Sequence, residues 1–427
     1  MRRLYNFLVV VAAPLAFLAV LLRGFRDRAY WAGLGERFGR GRRLRAGRCL
    51  WLHAASLGEV SAAATIVRTL AARDSKTSIV VTTATPTGRA RARGLFGDDA
   101  DIRFLPYDTR GAVARFLDNI GPALAIVMET ELWPNLFREC ARRGVPVVLA
   151  SARLSPKSVS RYRRFGSLFK DLFTPNVTVA AQTREDADRF IAIGADPART
   201  QVVGNVKFDI EIGADIGDRA RVLRREYLGA RPVWIAGSTH AGEDEAVIDA
   251  QREIGAAVPG ALLVLAPRHP HRFDAVAALI ARRGLTCVRR AATARVPREA
   301  EVLLLDTVGE LLAFYGAADI AFVGGSLVPI GGHNLLEPAA LGLPVLTGPS
   351  NFNAREIAAT LTEAGAAVTV ADAESLAAAV IRLLKDPERR VRVGALAKAA
   401  VEGRRGSVAR LLELIEVVTS GSAAKVL

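Results

Sequence analysis

The chain has 427 residues, of which 51% are hydrophobic and 24% charged, so it can form two or three folded domains and is too apolar to be disordered. Its 58 basic and 43 acidic residues leave a net charge of +15, which favours anionic partners such as nucleic acid, anionic lipid or acidic and phosphorylated substrates. Three cysteines without a CxxC motif exclude a disulfide scaffold, a zinc ribbon and a thioredoxin-like redox site.

The first predicted element is an apolar segment, Phe7–Leu22, with arginines on both sides. It is slightly shorter than a typical membrane-spanning helix, and no small-residue cleavage site follows it. We interpret residues 1–28 as an uncleaved membrane anchor that spans the bilayer or lies at its interface. A cleaved signal peptide or a buried core helix is the alternative. The dense arginines after the segment predict that the body of the protein lies on the cytoplasmic side.

Strands and helices then alternate in two successive halves. The strands predicted in the first half are Cys49–His53, Ser78–Thr83, Leu124–Met128, Val145–Ala150 and Val177–Ala181. Those predicted in the second half are Val233–Ala236, Ala261–Ala266, Glu301–Leu305, Ile320–Val323 and Pro344–Leu346, and a helical stretch, Pro387–Val418, follows. This pattern predicts an α/β protein with two doubly wound parallel sheets, in domains 29–207 and 208–427. Ligands of such sheets bind beyond the carboxyl ends of the strands.

Three polar residues after strands of the first half are candidates for chemistry. Glu59 follows a strand and a small-residue turn, where it could act as a general base facing a cleft or simply complete a capping box with Ser56. Local spacing leaves these two interpretations even. Glu129 is the first residue after an apolar strand, and we favour a functional role for it. Lys207 lies at the junction of the halves, where a salt bridge is the alternative to a role in catalysis.

The second half repeats a strand, a small-residue turn and a helix start. Arg268 follows one strand, and a segment with four glycines, Val323–Pro338, follows another. Asn334 in that segment reads as a helix N-cap with Glu337 three residues later. A helix N-terminus can bind phosphate, and Glu337 could accept from ribose hydroxyls. The five histidines all lie at or just beyond predicted strand ends.

The residues alone therefore predict two Rossmann-like halves, a polar cleft and a nucleotide-phosphate site in the second half. The sequence contains no Walker A motif, no GxGxxG and no paired histidine motif for zinc, so we expect no metal and no cofactor.

The motifs, taken in order, resemble those of bacterial 3-deoxy-D-manno-octulosonic acid (Kdo) transferases of lipopolysaccharide synthesis. They are HAASLGE, TTATPTG, METELWPN, SARLS, GNVKFD, AGSTHAGEDE, RHPHRF and GGHNLLEPAALGLPVLTGP. The resemblance implies a GT-B fold, with two Rossmann-like doubly wound domains facing a cleft and an N-terminal membrane anchor helix. It also implies inverting transfer from CMP-Kdo to lipid IVA, the lipid A precursor, at the cytoplasmic side of the inner membrane.

The resemblance also implies roles for individual residues. Glu59 would be the catalytic base, and Glu129 and Lys207 would stabilise the transition state. The residues that would hold CMP are Pro267, Arg268, Gly309, Glu310, Leu311, Asn334, Leu335, Leu336 and Glu337. Anionic membrane lipid is the expected surface partner.

Two other hypotheses stay open at this point. The first is another GT-B glycosyltransferase or a sugar-nucleotide epimerase that uses a different donor. The second is a basic protein without enzymatic activity that binds a membrane surface or nucleic acid. The chain has no nucleic-acid-binding motif, so we expect no nucleic-acid partner.

Overall fold

The computed structural model describes residues 1–44, 48–73, 77–164 and 166–423. The chain forms two compact units, one comprising Met1–Asp209 and the chain from Arg405 onward, the other Ile210–Arg404. The junction lies two residues from the predicted boundary. The last helix, however, belongs to the first unit, whereas the predicted second domain extends to residue 427.

The first unit contains a parallel sheet of seven described strands. These are β1 Cys49–His53, β2 Ser78–Thr83, β3 Asp101–Phe104, β4 Pro122–Met128, β5 Val147–Ala152, β6 Val177–Ala181 and β7 Thr200–Val202. Its helices are α1 Arg2–Gly24, α2 Leu57–Ala62, α3 Ala64–Arg73, α4 Pro86–Phe96, α5 Arg110–Ile120, α6 Pro134–Arg142, α7 Pro156–Arg164, α8 Gly166–Lys170, α9 Arg184–Ala192 and α18 Ser407–Ala423. The strands lie in the order β3-β2-β1-β4-β5-β6-β7. From β1 to β3 successive strands are added toward one edge of the sheet, and from β4 onward they are added toward the other edge, so the order reverses between β1 and β4.

The central strands are buried on both faces, as expected for a parallel sheet covered by helices on either side. Trp51 of β1 packs against Phe116 of α5 on one face. Leu52, its neighbour in the strand, belongs to the hydrophobic cluster on the opposite face. The buried indole N–H of Trp51 donates to the hydroxyl of Thr82, 2.9 Å away, so burial leaves it satisfied.

Helix α18 completes the second of these clusters, to which it contributes Leu411 and Ile415. The Asp209 carboxylate accepts from the backbone amides of Gly406 and Val408, each at 2.6 Å. The predicted continuous helical stretch 387–418 is therefore wrong in one respect, because the chain turns at residues 403–406 and begins a new helix. Gly406 has a φ of +87°, a conformation that glycine adopts without strain.

The second unit repeats the architecture. Its strands are β8 Val233–Thr239, β9 Leu262–Pro267, β10 Cys287–Arg289, β11 Val302–Leu304, β12 Ile320–Val323, β13 Val345–Thr347 and β14 Ala367–Thr369. Its α-helices are α10 Ile216–Val222, α11 Asp244–Ala257, α12 Phe273–Arg282, α13 Leu311–Ala317, α14 Leu336–Ala340, α15 Arg355–Glu363, α16 Ala373–Lys385 and α17 Pro387–Glu402. The strands are parallel in the order β10-β11-β9-β8-β12-β13-β14, with the reversal between β8 and β12.

Every strand predicted from the sequence is present, with ends that shift by up to three residues. Four strands were missed, namely β3, β7, β10 and β14. All four are three or four residues long and lie at or next to the edge of a sheet. β7 and β10 contain no buried residue, so they lack the apolar run that identifies a buried strand.

Helix α1 is the one described helix that is long and apolar enough to span a membrane, by length and composition alone. It contacts the first unit along a stripe that includes Tyr5, Ala13, Phe17 and Gly24, spaced at helical intervals. The Phe17 ring meets Phe38 edge to face at 4.9 Å. A Cβ on Gly24 would lie 1.8 Å from the Trp31 ring, so glycine is required for this approach. The rest of the helix exposes apolar side chains.

Candidate functional site

Three charged residues of the first unit follow strands at the point where the strand order reverses. Glu59 lies beyond β1, Glu129 directly follows β4, and Arg153 directly follows β5. Lys207 reaches the same place from a short 3₁₀ turn, Val206–Phe208, after β7. The carboxyl ends of parallel strands share one edge of a sheet, so residues far apart in sequence meet there.

Ser56 is the N-cap of α2, and hydrogen bonds tie Glu59, in the first turn of this helix, to the residues before it. Its backbone amide donates to Ser56 Oγ at 3.3 Å, and its carboxylate accepts from Ser56 Oγ at 2.8 Å and from the amide of Ala55 at 2.9 Å. The predicted bond from the Glu59 amide to Ser56 is therefore present, but the carboxylate accepts from the amide of Ala55 rather than from that of Ser56, so the capping box is incomplete. Glu59 thus has a structural role at the helix start. It does not exclude catalysis, because the same bonds hold a carboxylate in one fixed position.

Glu129 is buried and has a φ of +53°, an uncommon conformation for a residue other than glycine. Its two carboxylate oxygens bind different cations. Lys207 Nζ lies 2.6 Å from Oε1, and Arg153 Nε lies 3.0 Å from Oε2. The salt bridge considered for Lys207 is thus present. Such strained conformations persist where surrounding contacts enforce them, and they are concentrated at functional sites.

The two carboxylates differ in their electrostatic surroundings. Burial first, and then the negative charge of Glu129, raise the pKa of Glu59, while bonds from Ser56 and Ala55 oppose the rise. Within the described part of the chain, Glu59 forms no ion pair, whereas Glu129 has two cationic partners. The raised pKa gives the Glu59 carboxylate the affinity for a proton that a general base requires.

The neighbouring Glu131 belongs to a different cluster. Its Oε2 accepts from the Trp133 indole at 2.8 Å and lies 3.8 Å from Nε2 of the buried His53. The other ring nitrogen of His53 contacts Thr82. The structure therefore separates the two acidic residues after β4, and only Glu129 joins Lys207. Arg153 was not singled out from the sequence, although its position directly after a predicted strand could have drawn attention to it.

In the second unit, Arg268 and four histidines gather beyond the ends of β8, β9 and β12. The Nε2 atoms of His240 and His333 lie 2.8 Å apart, at hydrogen-bonding distance. The ring centroids of His240 and His269 are 5.3 Å apart. Burial first, and then the positive charge of Arg268, lower the pKa of His333 to about 4. Burial is also the main cause that lowers the pKa of His240 and of His269. Arg268 is an exposed cation in this group, and no carboxylate lies within ion-pair distance of it among the described residues.

The remaining predicted contacts to CMP lie at two short helices of the second unit. The N-cap of α14 is Leu335 rather than the predicted Asn334, because the helix begins one residue later. Asn334 lies just before it, where its Oδ1 accepts from the amide of Leu336 at 3.1 Å and its Nδ2 donates to Glu337. The side chains of Leu335 and Leu336 are buried, which leaves them only main-chain groups to offer a ligand. Gly309 has a φ of +93°, next to Glu310, which is paired with Arg290. Pro267 ends β9.

Glu243, a residue not selected from the sequence, organises the glycine-rich segment. It is fully buried and accepts from the amides of Gly325, Ser326 and Leu327 at 2.6–2.9 Å. A fourth bond comes from the amide of His240 at 3.0 Å. These amides are therefore not free to bind a phosphate, although the glycines suggested such a role. The sequence feature that could have identified Glu243 is its position, three residues after His240 at the end of a strand, where a carboxylate can accept from backbone amides of the turn.

Among the residues that the structure describes, no group of three or more His, Cys, Asp or Glu is arranged to hold a metal ion. The structure thus brings Glu59, Glu129 and Lys207 together in the first unit. It groups Arg268 with histidines in the second, and it places the Asn334 and Gly309 segments at helix starts. The catalytic and binding roles of these residues stay predictions.

Comparison with known proteins gives consistent results for both units. Residues 32–210 match the family described as 3-deoxy-D-manno-octulosonic-acid transferase (kdotransferase), and residues 288–400 match glycosyl transferases group 1. The chain is 38% identical over 419 residues to the 3-deoxy-D-manno-octulosonic acid transferase of Haemophilus influenzae, covering 97% of this chain and 98% of that protein.

Solved structures support the fold. A glycosyltransferase of kitacinnamycin is similar at a TM-score of 0.53 and 16% identity, with 88% of this chain and 100% of that chain covered. The UDP-GlcNAc 2-epimerase from Neisseria meningitidis is similar at a TM-score of 0.56 and 13% identity, with 86% and 99% covered. At these identities the likeness concerns the fold alone. The predicted fold class, a GT-B fold built of two Rossmann-like units, is confirmed.

Proposed function

This chain belongs to the 3-deoxy-D-manno-octulosonic acid transferase family, and from that premise we propose that it transfers Kdo from CMP-Kdo to lipid IVA with inversion at the anomeric carbon. Transfer of Kdo in lipopolysaccharide biosynthesis follows from the family. The donor, the acceptor, the stereochemistry and the residue roles are the proposal. The observation that carries it is the carboxylate of Glu59, which two hydrogen bonds from its own turn hold in place and which has no cationic partner in the described ranges, beside a Glu129 that is paired with two cations.

Glu59 would act as the general base. A hydroxyl of the acceptor sugar attacks the anomeric carbon of Kdo, and its proton passes to Glu59 as the new C–O bond forms. The bond from that carbon to the phosphate oxygen breaks, and CMP leaves with the electron pair. A single displacement with one base and no enzyme nucleophile inverts the anomeric carbon. The raised pKa of Glu59 suits this step, since a stronger base takes the proton more readily.

Lys207 and Arg153 would supply positive charge where negative charge develops on the leaving phosphate. Glu129 bridges both cations, at 2.6 and 3.0 Å, and so holds them in place before substrate binds. Groups oriented in advance stabilise a transition state without the cost of reorganising. Glu129 is then a positioning residue, which refines its predicted role in stabilising the transition state.

The CMP part of the donor would bind the second unit. Arg268, unpaired among the described residues, would offer a cation to the phosphate, and the histidines beside it would offer hydrogen bonds. Main-chain groups of Gly309, Leu311, Leu335 and Leu336, with the side chains of Asn334, Glu310 and Glu337, would contact the nucleoside. No metal or cofactor is needed for these steps.

Membrane attachment would come from α1. Its exposed face carries apolar side chains such as Phe7, Leu15 and Leu22, all more than half exposed. Contacts along its length hold the helix against the first unit, which favours a position at the membrane interface over a freely spanning one. The protein would lie at the cytoplasmic side of the inner membrane, where its net charge of +15 attracts anionic lipid.

A transfer assay with CMP-Kdo generated in situ and lipid IVA, analysed by mass spectrometry, tests this function. We expect a product heavier by whole Kdo units, and we expect CMP as the second product. A UDP-linked sugar serves as the matched donor control. Turnover with that donor, or its epimerisation, would instead support a different GT-B activity. Donor binding without modification of lipid IVA would refute the acceptor.

A further inference from the structure

A cavity of about 300 Å³ lies in the first unit between the start of α1 and the start of α5. We name it the α1–α5 cavity. Its lining residues are Arg3, Asn6, Val10, Thr109, Arg110, Gly111 and Asn135. Its volume is at the lower end of the range, roughly 300–1,000 Å³, that small-molecule sites occupy. None of its lining residues belongs to the site around Glu59.

One wall of the cavity is fixed by a hydrogen-bond network behind it. Tyr5 of α1 donates from its hydroxyl to Asp108 at 2.7 Å. Asp108 also accepts from the backbone amides of Asn135 and Leu136, each at 2.9 Å. The carboxylate is thus occupied by three donors and does not line the cavity. The network instead holds the beginning of α1 beside α5, so that the cavity has a defined shape.

The lining groups have the chemistry of an anion site. Two of them are the guanidinium groups of Arg3 and Arg110, and within the described ranges no carboxylate pairs with either. Asn6 adds a more specific signal, because its side-chain nitrogen and oxygen are both buried without a hydrogen-bond partner. Buried polar groups are nearly always satisfied, so an orphan amide that lines a cavity points to a missing ligand. No acidic side chain lines the cavity.

The cavity also adjoins the apolar surface of α1. Val10, a lining residue, is 60% exposed, and Phe7 and Val11 beside it are also exposed. A ligand with a phosphate group in the cavity could therefore extend an acyl chain along this helix. The phosphates of a bilayer lie at the level where an interfacial helix has its polar edge.

We propose that the α1–α5 cavity binds the phosphate group of a membrane lipid, with its acyl chains along the exposed face of α1. Arg3 and Arg110 would clamp the phosphate oxygens, and the Asn6 amide would donate to one of them. The inference rests on the proposed membrane position of α1, and is independent of Glu59 and of the sugar acceptor. It adds a discrete lipid site to the diffuse attraction of a basic protein for an anionic surface.

Binding of short-chain lipids to the detergent-solubilised full chain, followed by native mass spectrometry and calorimetry, tests the proposal. Dioctanoyl phosphatidic acid should bind with a stoichiometry of one. Dioctanoylglycerol, with the same chains and no phosphate, and inorganic phosphate, with no chains, should each bind at least tenfold more weakly. Equal binding of dioctanoylglycerol would refute the phosphate site, and equal binding of inorganic phosphate would refute the lipid.

A double variant, Arg3→Gln with Arg110→Gln, should weaken phosphatidic acid binding by about thirtyfold, since each arginine near a lipid phosphate contributes about fivefold. Arg184→Gln with Arg199→Gln is the control, because it removes the same charge from exposed positions of this unit outside the cavity. Equal losses in both double variants would show attraction by overall charge alone and overturn the proposal.

Asn6→Asp gives a second test of the same site. A carboxylate placed in the cavity repels the phosphate, so binding of phosphatidic acid should fall at least tenfold. Unchanged binding would count against the cavity as the site. A wild-type chain that transfers Kdo but does not bind phosphatidic acid overturns this inference alone. Binding without transfer overturns only the proposed function.

Discussion

The change of Glu59 to Gln separates its two roles, capping helix α2 and accepting a proton. Glutamine can keep the contacts of the Glu59 side chain, because its amide oxygen can accept from Ala55 while its NH₂ donates to Ser56. We therefore expect the free energy of unfolding to change by less than about 1 kcal/mol. The amide has no basicity, however, so the acceptor hydroxyl keeps its proton.

General bases contribute about 10²–10⁴-fold to rate, equivalent to roughly 3–5 kcal/mol in activation free energy. We expect the turnover number of Glu59→Gln to fall by that factor, while the dissociation constant for CMP stays within about threefold. The measurements are Kdo transfer under donor saturation, CMP binding by calorimetry, and thermal unfolding. A variant with more than a tenth of wild-type turnover would refute Glu59 as the base and leave it as a capping residue.

Ser56→Ala is the matched control, because it removes the cap and leaves the carboxylate. The N-cap side chain accepts from the Glu59 amide, so its loss should cost about 1 kcal/mol of stability. It also removes a hydrogen bond to the Glu59 carboxylate, and we expect a loss of turnover below about tenfold. If Ser56→Ala impaired turnover as strongly as Glu59→Gln, the geometry of the turn rather than proton transfer would explain both losses.

The remaining predictions concern pH and three further contacts. Because the pKa of Glu59 is raised above 4.5, kcat/KM should fall as pH drops through that raised pKa, and a pH–rate profile of Glu59→Gln should lack this acidic limb. Lys207→Met leaves the buried Glu129 with only one cation, so turnover should fall about a hundredfold. Arg153 is more exposed, so Arg153→Gln should reduce turnover less, and equal losses in steady-state assays would contradict the larger role given to Lys207. Arg268→Ala should raise the dissociation constant for CMP about tenfold or more with unchanged thermal stability, and unchanged CMP binding in calorimetry would remove Arg268 from the donor site.

The order of strands and helices could be predicted because buried parallel strands need long apolar runs, which are visible in the sequence. Ile320–Val323 and Cys49–His53 have the same bounds in prediction and structure. Edge strands such as β7 and β10 were not predicted, because none of their residues is buried and they show no periodic apolar pattern. Only their pairing with a neighbouring strand defines them. The residues of the candidate site could be selected for the same reason, since a polar side chain directly after an apolar strand is easily recognised in the sequence.

Contacts between distant segments could not be read from the chain. Glu129 was visible as a carboxylate at a strand end, but its partners are 24 and 78 residues away and meet it only because β4, β5 and β7 end at one edge of the sheet. The return of α18 to the first unit depends on Asp209, almost two hundred residues earlier. The cavity beside Asn6 exists because Tyr5 reaches Asp108. Periodicity and local spacing describe neighbours along the chain, whereas these charges and cavities are set by packing across it.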